Sequence, residues 1–215
     1  MKYKLIVFDM DGVIFEHDNF WFLLHKAYKT FKEGKELTKK YLQTDYARLV
    51  EEVVNRLWKG KPAEPYYDLI KKAKYNKGVK ETFKEVTNLG LKTAIISSGP
   101  LDLAERAKND LKIDYLLTNK LVIEDEKVAG RFEWPIAEGH DKKVKALKKI
   151  CKKAKIKMKE CIAVLDDKND VELAKKVGYS IAFNSSSPEL DKVADKVIIE
   201  KDLTKVLKDI KKRLR

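Results

Sequence analysis

Cysteine is scarce in this chain: Cys151 and Cys161 are the whole supply. Their spacing matches no zinc motif, and two thiols are too few to staple a small secreted scaffold. Neither a Cys-ligated metal nor a disulfide framework is expected to organise the fold. Long apolar runs are missing as well. None approaches the ~18 residues that a membrane-spanning helix requires. The opening MKYKLIVFDMDG meets acids at once and offers no small-residue cleavage site, so no signal peptide is expected there. These absences point to a cytosolic protein with no membrane partner. Glutamine appears once, at Gln43, and methionine three times, while charged residues, chiefly Lys and Glu, reach 38%. That balance is the pattern of proteins that work hot.

What is abundant is lysine. The formal net charge is +13 and unevenly placed: residues 140–215 hold 22 Lys and Arg against 12 Asp and Glu, whereas residues 1–139 hold 25 against 22. A basic half can attract nucleic acid or an anionic membrane surface. Here the lysines punctuate amphipathic helical patterns, so a solvated face accounts for them, and nucleic acid is not expected as the main partner. With 215 residues and 44% hydrophobic content, the chain can bury one sizeable core and a smaller second unit.

The reading centres on Lys4 to Phe15, KLIVFDMDGVIF. Leu5-Ile6-Val7-Phe8 is a short continuous apolar run, as expected of a strand buried on both faces of a parallel sheet. Gly12 breaks it, with Asp9 and Asp11 at the break. Residues two apart on an extended chain point the same way. Both carboxylates can therefore face one small volume at the strand's carboxyl end, where open α/β sheets bind ligands. Two such acids repel, which raises the pKa of one of them unless a cation neutralises the pair. A divalent metal site and a nucleophile beside a protonated acid are both open at this point.

From Asp18 to about Trp58 the pattern is helical. Phe20, Leu23, Leu24, Ala27, Tyr28 and Phe31 recur at helical spacing, with Gly34 expected to end the helix. Leu49, Val53, Val54, Leu57 and Trp58 form a second stripe, closed by Gly60 and Pro62, and a third short helix is expected near Tyr67–Ala73. The aromatic cluster Phe15, Phe20, Trp21 and Phe22 reads as core of this block and not as a ligand cage. Alternation of helix and strand resumes at Val79. Strands are expected at Lys92–Ser97, Tyr115–Thr118, Cys161–Leu165, Ser180–Phe183 and Lys196–Ile199, with a β-hairpin of Leu121–Ile123 and Lys127–Phe132 turning at Asp125-Glu126. Helices are expected around Asp141–Lys155, through Val171 and Ala174, and from Asp202 to the end.

Three polar signals thus fall at the carboxyl ends of strands: Asp9/Asp11, Ser98, and Asp166/Asp167/Asp170. Mg²⁺ is a hard cation suited to a few carboxylates plus a substrate phosphate, and Asp166 sits where it can complete a metal site begun by Asp9. In these features the chain resembles the haloacid-dehalogenase-like phosphohydrolases, and within them the phosphoserine-phosphatase-like branch. DMDGVIF matches the first motif, the serine of AIISSG the second, the lysine of EGHDKKVKALKKI the third, and Leu165-Asp166-Asp167-Lys168-Asn169-Asp170 the acidic fourth. The departures are Leu165 and Asp167 in place of two glycines, Gly12 after the first acid pair, and Asp18 where that branch carries a longer acid.

The resemblance implies an α/β fold: a Rossmann-like, doubly wound parallel sheet from residues 1–16 and 78–215, with an inserted helical cap at 17–77. It implies Asp9 as nucleophile and Asp11 as general acid/base. Ser98 (Ser97 in the other register) and Lys143 (Lys142 one residue out) would hold the phosphoryl oxygens. Mg²⁺ would sit at Asp9, the Asp11 carbonyl and Asp166, with Asp170 completing the acidic set. Gly12, Ser98, Gly99, Lys143 and Asn169 would surround the substrate, with Asp18 reading an ammonium and Arg48 a carboxylate, as phosphoserine would need. The expected activity is hydrolysis of a small phosphomonoester through an aspartyl-phosphate, by a monomer or homodimer. A phosphotransferase or mutase would use the same residues. A non-catalytic nucleic-acid-binding protein on this scaffold, and a response-regulator receiver, are the other classes weighed. The receiver has no helical insertion after its first strand.

Overall fold

A computed structural model describes residues 2–136 and 141–214 of the chain. The four apolar residues of β1 (Leu5–Phe8) are all buried, as a run without polar alternation requires. This strand pairs in parallel with β2 (Lys92–Pro100) on one side and β5 (Cys161–Leu165) on the other. Beyond β2 lie β3 (Tyr115–Glu124) and β4 (Lys127–Glu133); beyond β5 lie β6 (Tyr179–Phe183) and β7 (Lys196–Ile198). The order is β4-β3-β2-β1-β5-β6-β7, and only β4 runs antiparallel to its neighbour. The chain therefore winds outward from β1 in one direction and returns to wind outward from β5 in the other. Open sheets bind ligands at such a switch point, just outside the carboxyl ends of the strands.

Between β1 and β2 comes the helical insertion: α1 (Phe20–Ala27), α2 (Phe31–Tyr41), α3 (Tyr46–Val50) running straight on into a π-helix (Glu51–Trp58), and α4 (Glu64–Lys72). Gly34, expected to end a helix, lies inside α2. The break comes earlier, at Lys29, whose φ is 58°. Gly34 is there for contact and not for termination: a Cβ at that position would lie 2.1 Å from the His25 ring. The Leu49–Trp58 stripe is helical as expected, but its second half is wound as a π-helix.

The remaining helices are α5 (Val79–Asn88), α6 (Leu101–Leu111), α7 (Lys142–Ala154), α8 (Val171–Lys176), α9 (Pro188–Val193) and α10 (Leu203–Leu214). Alternate side chains of β1 serve the two faces. Leu5 and Val7 pack with residues of α7, α8 and α9, and Ile6 and Phe8 with residues of α5, α6, α10 and the insertion. The strand expected at Tyr115–Thr118 does not stop there. It continues as one strand through Leu121–Ile123, pairing first with β2 and then with β4. The hairpin turns where predicted, with Asp125 and Glu126 both at positive φ (46° and 58°), the geometry of a two-residue type I′ turn. Backbone bonds from Gly60 to Val128 and from Val128 to Lys61 stitch this hairpin to the end of the π-helix. No described helix is long and apolar enough to cross a membrane.

Candidate active site

The carboxyl ends of β1 and β5 open into a cavity of about 640 Å³ that the helical insertion covers from the far side. Asp9 follows β1 directly and is 7% exposed. Its Oδ1 accepts the Met10 N–H at 2.7 Å, and its Oδ2 accepts Lys143 Nζ at 2.6 Å. Lys143, in the first turn of α7, donates equally to Asp170 Oδ1 at 2.6 Å. Its neighbour Lys142 also borders the cavity but makes neither contact. Of the two registers, the geometry brings Lys143 to the acids.

Asp9, Asp166 and Asp170 present carboxylate oxygens that all lie within 4.8 Å of one another. Burial raises the Asp166 carboxyl well above the ordinary range, and the charges of Asp9 and Asp170 add to the effect. Burial also pushes Asp170 up to about 6, against the pull of Lys143. For Lys143, burial disfavours the charge, but Asp170 and Asp9 together outweigh it and hold the ammonium above its usual range. Three carboxylates facing one ammonium leave two formal negative charges in a buried space. An all-oxygen donor set with that surplus fits a hard divalent cation. Gly12 makes the room: at φ 76°, its missing Cβ would stand 2.0 Å from Asp166 Oδ2. Of the four acids read as metal residues, Asp9, Asp166 and Asp170 bring carboxylate oxygens together there. Asp170 is wholly buried and spends one oxygen on Lys143, the other facing the N–H groups of Asp166 and Asp167 at 3.4 Å. Asp11, expected to offer a metal its carbonyl, has its carboxylate engaged: Oδ2 accepts the Phe20 N–H at 2.9 Å and Oδ1 pairs with His17 Nε2 at 3.0 Å.

Both serines of AIISSG reach the cavity wall. Ser97 is the deeper, 3% exposed, its Oγ accepting the Gly99 N–H. A Cβ on Gly99 would lie 2.4 Å from Met10 Cε, so the bare glycine makes room for the side chain between the two acids of the first loop. Gly12, Asp18 and Asn169 border the cavity, while Gly99 lies just beneath it. Arg48 is not brought to the site. It points outward from α3, half-exposed, and pairs with Glu52 one helical turn on. Burying that guanidinium against an apolar wall would break the pair and cost solvation.

Three supports went unread in the sequence. Asn76 is buried, and its Nδ2 donates toward the carbonyls of Gly12, Val13 and Phe15, clamping the loop that carries both acids. Asn119 donates to the carbonyls of Ser98 and Ile136 and so ties the serine loop to the chain beyond β4. Trp21, expected in the core, lines the cavity, and its Nε1 donates to the Ser98 carbonyl at 2.9 Å. A lone Asn after a helix, or a Trp in an aromatic cluster, carries no local signal of such partners; they exist only once distant segments meet.

Residues 6–175 match the family model of the haloacid dehalogenase-like hydrolases. The chain is 32% identical to a phosphoserine phosphatase of Methanocaldococcus jannaschii over 98% of its own length and 99% of that protein's. It is 29% identical to a phosphoserine phosphatase of Streptococcus thermophilus, covering 94% of each. Two solved structures superpose with a TM-score of 0.84 at 30% identity, covering 97% of this chain and 99% of theirs: a substrate-bound phosphoserine phosphatase complex and a phospho-aspartyl intermediate analogue of phosphoserine phosphatase. A match spanning most of the chain, with an acid pair, a buried lysine and a second acidic loop meeting at the switch point of the sheet, makes this protein a member of the haloacid dehalogenase-like hydrolases.

Proposed function

We propose that the chain is a magnesium-dependent phosphomonoester hydrolase that works through an aspartyl-phosphate on Asp9. The observation that carries this reading is Lys143 held at 2.6 Å from both Asp9 and Asp170, beside an open Asp166. That geometry fixes the nucleophile's rotamer and supplies a permanent positive charge where phosphoryl oxygens would lie. Asp9 bonds to phosphorus as the bond to the ester oxygen breaks, and Asp11 gives that oxygen its proton. Water then attacks the phosphorus of the aspartyl-phosphate, Asp11 takes a proton back, and the bond to Asp9 breaks. Ester and water become alcohol and inorganic phosphate. The Lys143 ammonium and a hydroxyl of the Ser97-Ser98 pair on the cavity wall stabilise the charge that builds on the phosphoryl oxygens. Magnesium bound by Asp9 and Asp166 would supply further positive charge beside those oxygens. Residues 17–77 act as the cap that keeps bulk water from the first step.

Support comes also from the two relatives above, both named phosphoserine phosphatases and both matching this chain nearly end to end. The test is Asp9→Asn, which keeps the side chain's shape and removes its nucleophilic charge. Hydrolysis of p-nitrophenyl phosphate in Mg²⁺ should fall by at least about 10³-fold, and a chelator should abolish it in the parent. A folded Asn variant retaining about a tenth or more of the parent rate means that no aspartyl-phosphate forms on Asp9.

A further inference from the structure

We propose that the cavity selects a leaving group that is uncharged, largely apolar and about the size of an aromatic ring, and that Trp21, Val50, Val53, Val54, Trp58 and Phe132 read it. The proposal rests on the phosphomonoester reading above and concerns only what lies beyond the phosphorus. It begins from the way charge is divided over the cavity wall. Among the described lining residues, the lysines are Lys142, Lys143 and Lys168, and all stand on α7 or the acidic loop after β5. The acids Asp9, Asp11, Asp166 and Asp167 belong to the same floor. The wall given by the helical insertion contributes one acid, Asp18, which is exposed, and no cation among its described residues. His25 reaches that wall, but burial lowers its pKa to about 4, and it pairs with Thr30 and packs on Trp58 at 4.6 Å.

The arginines of the insertion are spent elsewhere. Arg48 pairs with Glu52, and Arg56 with Glu52 and Glu33, all three side-chain contacts lying on the outer face. Three valines take the inner face instead, each no more than 9% exposed. A substrate bearing a carboxylate beyond its phosphate would have to desolvate that charge against Val50, Val53 and Val54, with only the neutral side chains of Asn19, Thr38 and Tyr46 and no cation on the insertion's described wall, which is unfavourable. An apolar group gains there what the charged one loses.

The aromatic members give the wall its preference for a ring. Trp21 meets Phe132 edge-on at 5.3 Å and lies 6.1 Å from Trp58. Its one polar atom is already bonded to the Ser98 carbonyl, so ring carbon is what it offers a ligand. Aromatic rings pack on one another in these offset and edge-on arrangements. The volume is compatible: about 640 Å³, the phosphoryl floor included, lies within the ~300–1,000 Å³ range of pockets that take drug-sized ligands.

The experiment compares three alkyl phosphates whose leaving alcohols are alike in kind, so that an aryl ester's easier cleavage does not confound binding: 2-phenylethyl phosphate, ethyl phosphate and phosphoserine, each with Mg²⁺. The expected kcat/KM for 2-phenylethyl phosphate is about ten- to a hundredfold above both others. Val53→Arg should reverse the order of phosphoserine and 2-phenylethyl phosphate. Phe132→Ala, at a half-buried strand position, should lower kcat/KM for 2-phenylethyl phosphate about tenfold more than for ethyl phosphate. Phosphoserine turned over as well as or better than 2-phenylethyl phosphate by the parent overturns this proposal and leaves the phosphatase reading standing. No Mg²⁺-dependent hydrolysis of any of the three overturns both.

Discussion

Lys142 and Lys143 are adjacent in sequence and differ in almost every physical respect. Lys143 is 8% exposed and joined to two acids, while Lys142 is half-buried and joined to neither. Removing a donor that stabilises transition-state charge costs roughly 10²–10³ in turnover. Lys143→Ala should therefore lose that much kcat, and Lys142→Ala less than about tenfold, measured on p-nitrophenyl phosphate. Comparable losses from the two would place the phosphoryl group elsewhere. At this scale the sequence was most legible where chemistry is local. Asp9, Asp11, Asp166 and Asp170 announce themselves by spacing after apolar runs, and the structure gathers their loops. What spacing could not say is which carboxylates remain free. Asp170 is consumed by Lys143, and Asp11 by a backbone N–H nine residues along the chain. Arg48 shows the converse: a cation on an insertion helix looks like a substrate reader until its helix is rotated into place and Glu52 takes it.

Among the elements, α2 shows two effects opposed at one residue. Gly34→Ala in mid-helix gains about 1 kcal/mol of helix propensity. It also forces a methyl to within 2.1 Å of the His25 ring, which is 2% exposed and held by Thr30 and Trp58. Overpacking of that kind costs about 1–3 kcal/mol, so the collision wins. Gly34→Ala should lower the midpoint of urea unfolding, whereas a mutation governed by propensity would raise it. The same glycine explains why the helix boundary was misjudged: mid-helix glycine and terminal glycine look alike without the neighbour that needs the space. β1 and β5 were read to the residue, because strands buried on both faces leave unbroken apolar runs. The continuity of β3 was hidden by polar Thr118 and Asn119, which are buried where the strand changes partner. Helix α9 is six residues long with one buried side chain, Leu190, too little for a period to show. Its Ser187 cap and Pro188 were the available signal.

Over the whole molecule, stability carries a pH dependence that His25 sets from inside the insertion. Its pKa is lowered from 6.5 to about 4, chiefly by burial. The unfolded chain therefore binds this proton more readily than the folded one. The stabilising contribution is complete above about pH 6.5 and is lost as pH falls toward 4, at most roughly 3 kcal/mol. Thermal melting of the parent and of His25→Gln between pH 7 and pH 4.5 should converge as pH falls, the variant lacking this portion of the slope; parallel curves would show that His25 charges freely. The lysine surplus belongs to this scale too. Lys145, Lys148, Lys149, Lys152 and Lys153 all sit on the exposed side of α7, whose other side is core, so the basic half of the sequence is the outer coat of a helix layer.

Asp11, read as the proton donor, accepts the N–H of Phe20, the first residue of α1, while the next residue's indole holds the Ser98 carbonyl. The acid and the serine loop are thus tied to the same end of α1. Any swing of α1 wide enough to admit a substrate takes an N–H away from Asp11 and loosens the serine loop in the same stroke.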